Sequence, residues 1–264
     1  MGRVASPYVP DDADRQLLRL LLAGGPVSGE EMSRELNMTR AAVWKRIAHL
    51  REMGYDIESG PRKGYWLAGD VLKADAVLAQ LHTRWLGHTL ICEPVVDSTF
   101  KLMRDLESTG CPDGTVAVAA EQTSGRGRRG RSFQSAAGKG VYLSVLLRPE
   151  LSPAQLMPLT GLVAVAMSRA VDRVGGTSVQ IKWTNDLVLN GRKLCGILTE
   201  LSVEGETGAL QYVVAGIGIN VSQREEDFEG DVAQIATSIL RETGRRVSRA
   251  ALAAAMIEEL DALC

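Results

Sequence analysis

Seven consecutive residues, Gly125-Arg126-Gly127-Arg128-Arg129-Gly130-Arg131, hold four arginines and three glycines, directly after the apolar stretch 115–120. Such a run cannot continue a helix or a strand. Glycine loses the most freedom on ordering, and four like charges repel along either element. It must be a loop, and its place between strand candidates puts it inside a folded domain rather than in a tail. Glycine lets backbone amides approach an anion, and guanidinium groups add bidentate donors. The loop is read as a cradle for a triphosphate or a mixed anhydride made from one. It fits neither the GxxxxGK(S/T) phosphate loop nor the GxGxxG turn of a βαβ unit. A basic run for RNA binding or nuclear targeting is the competing reading.

The first 68 residues follow another rule. Leu17, Leu18, Leu21 and Leu22 recur at helical spacing after Asp11 and Asp12, which are placed to cap, and Gly24-Gly25-Pro26 ends that helix. Ser28 with Glu31 has the capping-box spacing and opens a short helix to Leu36. Thr39 caps a third helix, on which Val43, Ile47 and Leu50 share one face, and Gly54 ends it. Residues 55–67 read as a two-stranded hairpin turning at Gly60–Gly64. Three helices and a hairpin make a winged helix-turn-helix. A recognition helix needs polar and basic residues outward and a wing that braces it. The candidate DNA-facing set is Ser28, Thr39, Arg40, Trp44, Lys45, Arg46, His49, Arg62 and Lys63. Acidic and basic residues are nearly balanced here, so a structural or protein-docking role stays open.

A chain of 264 residues has room for two domains. Its formal net charge of −2 excludes a protein held on nucleic acid or membrane by total charge. No apolar run is long enough to span a bilayer, and the start has no apolar secretory core. Cys92, Cys111, Cys195 and Cys264 lie far apart, with no CxxC and no histidine at metal-ligand spacing. They read as thiols in a reducing compartment, so the expected location is cytoplasmic.

Beyond a bridging helix at about 73–86, strand candidates are 90–96, 115–120, 141–148, 179–183, 186–190, 194–202 and 211–221. Helix candidates are 99–109, 153–174, 232–243 and 248–263. Hairpin-like turns at Asn190-Gly191 and Glu204-Gly205-Glu206 argue for antiparallel pairing. The expected fold is α+β with a mixed sheet. The expected domains are a winged helix-turn-helix over 1–68, a linker over 69–88 and a catalytic domain over 89–264.

Three further segments carry polar residues where an apolar frame makes them conspicuous. Lys182 alternates with Ile181 and Trp183, Asn185 and Asp186 sit between apolar stretches, and Lys193 opens a strand after a turn. Each lysine read alone is a solvated surface group; beside the arginine loop they form a cationic pocket with one carboxylate for Mg2+. Asp97-Ser98-Thr99 precedes a helix and reads as an ordinary cap. Gly216 and Gly218 interrupt an apolar strand, which marks close approach of a ligand or equally of packed protein.

The segments DST, EQTSGRGRRGR, AGKGVYLSVLLRP, KWTNDL, GRKLCGIL and GIGIN, in that order behind a winged helix, resemble the bifunctional biotin–protein ligases of BirA type, which are also biotin operon repressors. The resemblance covers about residues 12–263. It implies a ligase that makes biotinyl-5′-AMP from biotin and ATP and passes biotin to a lysine of the biotin carboxyl carrier protein. It further implies that biotinyl-5′-AMP is the corepressor and that a homodimer through the central sheet binds operator DNA.

Carried onto this sequence, the resemblance puts Ser98, Thr99 and Gln122 on the biotin rings, with Phe100, Gly196, Gly216 and Gly218 completing the biotin site. Arg126, Gly127 and Arg128 close over the biotin carboxylate and the adenylate. Lys193 contacts the carboxylate and the α-phosphate, Lys182 supports the phosphates, and Asn185 and Asp186 hold ATP and Mg2+. The nucleotide side is completed by Gly125, Arg129, Gly130, Arg131, Phe133 and Asn220. The implied catalytic set is Arg126, Arg128, Lys193, Lys182 and Asp186. Thr184 stands where the family usually has proline, and Phe133 where it often has tryptophan. The resemblance implies a small SH3-like barrel after the catalytic domain, and the sequence ending at Cys264 leads to the expectation that it is missing. Two alternatives stay open: a repressor that senses biotin or biotinyl-AMP without full ligase activity, and a lipoate-type acyl ligase.

Overall fold

The computed structural model describes residues 12–264, so the reading of Asp11 as a cap lies outside the described residues. The chain separates into two compact units, divided after Gln80. The first contains α1 (Asp12–Leu22), α2 (Gly29–Glu35), α3 (Arg40–Glu52), the hairpin β1 (Ile57–Gly60) and β2 (Gly64–Leu67), and α4 (Ala74–Leu78). Ser28 Oγ accepts from Glu31 N at 3.1 Å and Thr39 Oγ1 from Ala42 N at 3.2 Å. Each cap satisfies an amide that the helix cannot, a contribution of about 1 kcal/mol. The inward residues Leu17, Leu18, Met32, Val43, Ile47 and Leu50 are essentially fully buried. Val27 adds a third strand residue to the wing: its N–H and C=O both pair with Tyr65 at 2.8 Å. That approach requires Gly64, whose φ is +92° and whose Cβ, if present, would strike the Val27 backbone.

The second unit is built on a seven-stranded sheet in the order β3-β4-β5-β9-β8-β7-β6. The strands are β3 (Leu90–Glu93), β4 (Val116–Ala119), β5 (Gly140–Leu147), β6 (Gln180–Lys182), β7 (Asp186–Leu189), β8 (Arg192–Val203) and β9 (Leu210–Asn220). β3 and β4 are parallel and every other pairing is antiparallel. Helix α5 (Thr99–Ser108) packs over β4, β5 and β9, burying Phe100 and Met103 against Ala117, Leu146 and Val214. Helices α6 (Leu159–Gly175) and α9 (Arg249–Asp261) pack together on the other face, where Thr160 and Thr199 hydroxyls meet at 2.5 Å. Short helices α7 (Val232–Ile235) and α8 (Ile239–Thr243) follow β9.

Three helix expectations are corrected, each for a local reason. The bridging helix over 73–86 is only α4, because the amides of His82, Arg84, Trp85 and Leu86 are taken by the Glu258 and Asp261 carboxylates on α9. Helix α6 starts at Leu159, since prolines at 153 and 158 remove donors and disfavour helical geometry before them. The single helix expected over 232–243 is broken where Ala236 bridges to Lys193 and Thr237 N donates to Lys193 O at 2.8 Å.

Candidate active site

The sheet register builds the site. Glu93, Ala119, Tyr142, Gly218, Gly196, Asp186 and Lys182 are successive Cα partners across all seven strands. Partners directly opposite one another share a sheet face. Between Tyr142 and Asp186 two strands in succession therefore present no side chain, leaving a trough of bare backbone. The Phe133 ring lies in it: a Cβ on Gly218 would come within 2.6 Å of the ring and one on Gly196 within 2.9 Å. Phe133 also meets Tyr142 edge-on, with ring centroids 6.3 Å apart. The strand glycines thus answer to protein packing in this state.

Above the trough is a cavity of about 340 Å³, lined by Ser98, Thr99, Phe100 and Gln122, with the Arg126 guanidinium over the Phe100 ring, and further along by Arg128, Asn185, Asp186 and Lys193. The first end is a fixed polar network. Gln122 Oε1 accepts from Thr99 N at 2.9 Å and from Thr99 Oγ1 at 3.2 Å, while Gln122 Nε2 donates to Ser135 Oγ at 2.8 Å. Ser144 Oγ donates to Thr99 Oγ1 at 2.8 Å. Ser98 is at the cap position of α5, yet its hydroxyl makes no cap bond and has no partner although it is 3% exposed. An orphaned buried hydroxyl costs about 1–3 kcal/mol, which a ligand hydrogen bond would recover.

The second end is cationic. The arginine loop folds as a small hairpin: Arg126 bridges Ser132, Gly127 N donates to Arg131 O at 2.7 Å, and a tight turn covers Arg128–Gly130. Arg128 Nη1 donates to Thr184 Oγ1 at 3.0 Å and to Asn185 Oδ1 at 3.1 Å, tying the loop to the β6–β7 turn. Lys193 Nζ lies 2.6 Å from Asp186 Oδ1. Four arginines and this lysine face the cavity, against one carboxylate among the described lining residues. Neighbouring Cys195 is buried in β8, and burial pushes its thiol far above the ordinary range, so it is inert as a nucleophile.

Most residues expected at the site come together here, with exceptions. Gly125 and Gly130 shape the loop without lining the cavity, and the Gly125 carbonyl accepts from Phe133 N at 2.8 Å. Lys182 shares the row of the trough but lies one strand beyond Asp186, exposed on the edge strand β6. Asn220 is buried and committed elsewhere, donating to Thr237 O at 3.0 Å and accepting from Gln223 Nε2 at 3.1 Å. Ser132, Ile197, Leu198 and Ile217 line the cavity and were not expected; the latter three flank the strand glycines, which was the available signal. Asp186 was expected to hold Mg2+. Its carboxylate is paired with Lys193, and no group of three His, Cys, Asp or Glu is poised for a metal among the described residues. A single carboxylate does not hold Mg2+ alone, so the ion would need phosphate oxygens of a bound nucleotide beside Asp186.

In the first unit, Trp44, Lys45, His49, Arg62 and Lys63 are exposed on α3 and the hairpin tip. Arg40 pairs with Glu30 at 2.7 Å on the surface. The hydroxyls of Ser28 and Thr39 serve as helix caps. Arg46 is turned inward, where Nη1 meets the buried Asp14 carboxylate at 2.8 Å.

Comparison with known proteins decides the family. Residues 93–220 match the biotin/lipoate A/B protein ligase family and residues 14–66 match an HTH domain. The bifunctional ligase/repressor BirA of Bacillus spizizenii is 38% identical over 240 residues, covering 89% of this chain and 73% of that protein. The chain belongs to the biotin/lipoate protein ligase family. The Escherichia coli bifunctional ligase/repressor BirA, also in this family, is 38% identical over 249 residues, covering 94% of this chain and 75% of its own. The Aquifex aeolicus biotin protein ligase in complex with biotin and ATP is similar in structure, with a TM-score of 0.55 and 30% identity, covering 66% of this chain and 69% of that one. For a member of this family, a cavity joining a neutral polar end to a cationic end is where an acid and a nucleotide would meet.

Proposed function

We propose that the chain is a biotin–protein ligase that also acts as a DNA-binding repressor, with Ser98, Thr99 and Gln122 on biotin and Arg126, Arg128 and Lys193 at the reacting anions. The observation that carries this is the pairing, in one cavity, of an unsatisfied buried hydroxyl at Ser98 with a ring of cations. Biotin has the matching halves: a neutral hydrogen-bonding ring system and a carboxylate. The relatives' shared name and the HTH match support the repressor role.

The chemistry is two substitutions. A biotin carboxylate oxygen bonds to the α-phosphorus of ATP as the bond to the bridging oxygen breaks, releasing pyrophosphate and leaving biotinyl-5′-AMP. The carrier lysine amine then attacks the acyl carbon, AMP departs, and the ammonium proton is lost to solvent. Both reactants of the first step are anions, so Arg128 and Lys193 hold them together and offset charge where it develops. Among the described residues no three His, Cys, Asp or Glu are grouped for a metal, so Mg2+ would be held by the nucleotide's phosphates with Asp186 as the nearby carboxylate. Phe133 leaves or tilts from the glycine trough as the adenylate occupies the site, Asn185 anchors Arg128, and Arg129 and Arg131 face the phosphates.

The proposed partners are the biotin carboxyl carrier protein, operator DNA and a second copy joined through the central sheet, where β8 runs beyond its pairing with β7 and exposes Leu201 and Val203. No helix among the described residues is long and apolar enough to cross a membrane. With a carrier and an operator as partners, the inferred location is the cytoplasm. The test is single-turnover adenylation with Mg-ATP and labelled biotin. Biotinyl-AMP with stoichiometric pyrophosphate is the expected product, whereas biotin binding without either would leave a sensor repressor.

A further inference from the structure

We propose that Phe100 is the end wall of the ligand cavity and sets the size of the ring system the site accepts. This rests on the reading that biotin occupies that cavity. Behind Phe100 lies a second hollow of about 140 Å³, lined by polar groups including Arg104, Glu200, Ser202 and Tyr212. Among the described residues, Phe100 is the one that lines both spaces. Its ring stands on the boundary between them, in one cluster with Val214 and Leu198.

The ring is held from every side that matters. It comes from the first turn of α5, is 3% exposed, and packs on Met103, Ala117, Leu146 and Val214. Beneath it Gly216 has no side chain, and a Cβ there would lie 3.0 Å from the ring, so the ring sits as low as the sheet permits. Over its face stands the Arg126 guanidinium, 5.8 Å from the ring centroid. Moving the ring outward means moving an arginine of the anion-binding loop. A packed ring of this kind does not yield gradually.

The wall acts on selection in two ways. A ligand whose rings end at Phe100 gains an aromatic contact at its inner end. A bulkier ligand meets a wall, so discrimination comes from repulsion rather than from a missing hydrogen bond. With the ring truncated, the two spaces join and the polar lining of the second hollow becomes reachable.

The test measures binding by calorimetry to the full chain without ATP, using biotin and a biotin carrying a benzyl group on a ureido nitrogen. Wild type, F100L and F100A are compared, with circular dichroism confirming that each folds. The expected result is that the preference for biotin over the benzyl compound falls at least about tenfold in F100A and by a smaller factor in F100L. An unchanged preference in variants that fold and bind biotin overturns the wall. So does a wild type that binds both ligands equally. If F100A does not fold, F100L decides by the same ratio. A wild type that fails to bind biotin overturns the functional reading instead, and the wall with it.

Discussion

Lys193 Nζ and Asp186 Oδ1 stand 2.6 Å apart on the wall of the cavity, the lysine at the start of β8 and the aspartate at the start of β7. The pair aims the ammonium at the cavity and keeps one cation balanced until a substrate anion arrives. K193M should lower kcat/KM for adenylation by about 10²–10³-fold, the usual effect of deleting one preorganised charge-stabilising donor. D186N should cost less, and the double variant should fall well short of the product of the two. Pyrophosphate release measures all three.

Arg128 depends on two acceptors at the β6–β7 turn. T184V removes the hydroxyl that accepts at 3.0 Å and leaves Asn185 in place. One neutral acceptor to a charged donor is worth about 1.5–3 kcal/mol at most and less at the surface, so tryptic cleavage in the arginine loop should speed up several-fold without ligand. T184S should restore protection. Equal cleavage rates in all three proteins would show that the hydroxyl does not hold the loop.

G218A should be damaging out of proportion to its size. The new Cβ would come within 2.6 Å of the Phe133 ring, an overpacking that costs about 1–3 kcal/mol. Urea unfolding should show that loss, and biotin affinity should drop with it. F133A in the same background should recover the stability but not adenylation.

Asp261 sets an acid limit. Burial alone would raise its carboxyl, but the amides of Arg84, Leu86 and Trp85 and the Arg84 side chain outweigh that and hold it below the usual range. A depressed carboxylate contributes stability above its unfolded value of about 3.9 and loses it as pH falls through the lower folded value. D261N should therefore be less stable than wild type by about 1–3 kcal/mol near neutral pH, with the gap closing below about pH 4. Paired urea titrations across pH 3–7 would measure it.

Arg46 and Lys45 are neighbours with opposite expected behaviour. R46A removes the guanidinium that meets the buried Asp14 carboxylate and should destabilise the first unit by about 1–3 kcal/mol. K45A should leave stability unchanged, weaken operator binding at every sequence, and reduce the slope of log K against log salt by about one. A fluorescence anisotropy salt series separates the two.

Much of the fold and the site was legible in the sequence because the signals are local. Ser28 and Thr39 stand immediately before amphipathic stretches, the position of a cap, and they cap. Apolar stretches bounded by turns matched all seven strands of the large sheet to within a few residues. The features that escaped depend on partners distant in the chain. The Val27–Tyr65 bridge, the break at Ala236–Thr237 and the 82–86 turn each exist because a remote backbone or carboxylate takes the amides. Lys182 and Asn220 stand outside the cavity lining for a related reason. Alternation gives the face of a strand but not its place in the sheet, and strand order puts Lys182 at an edge. Asn220 sits beside the glycine motif yet spends both polar atoms on residues 223 and 237, further along the chain.

The bare stretch between Tyr142 and Asp186 makes the floor of the site asymmetric toward mutation. Nothing can be subtracted from Gly196 or Gly218, so truncation, the commonest route to a relaxed pocket, is closed there. Every change at these two positions adds atoms where the Phe133 ring already lies. Drift in what the site accepts is thereby confined to its walls and its loop, while the floor stays the same for any acid that lies on it.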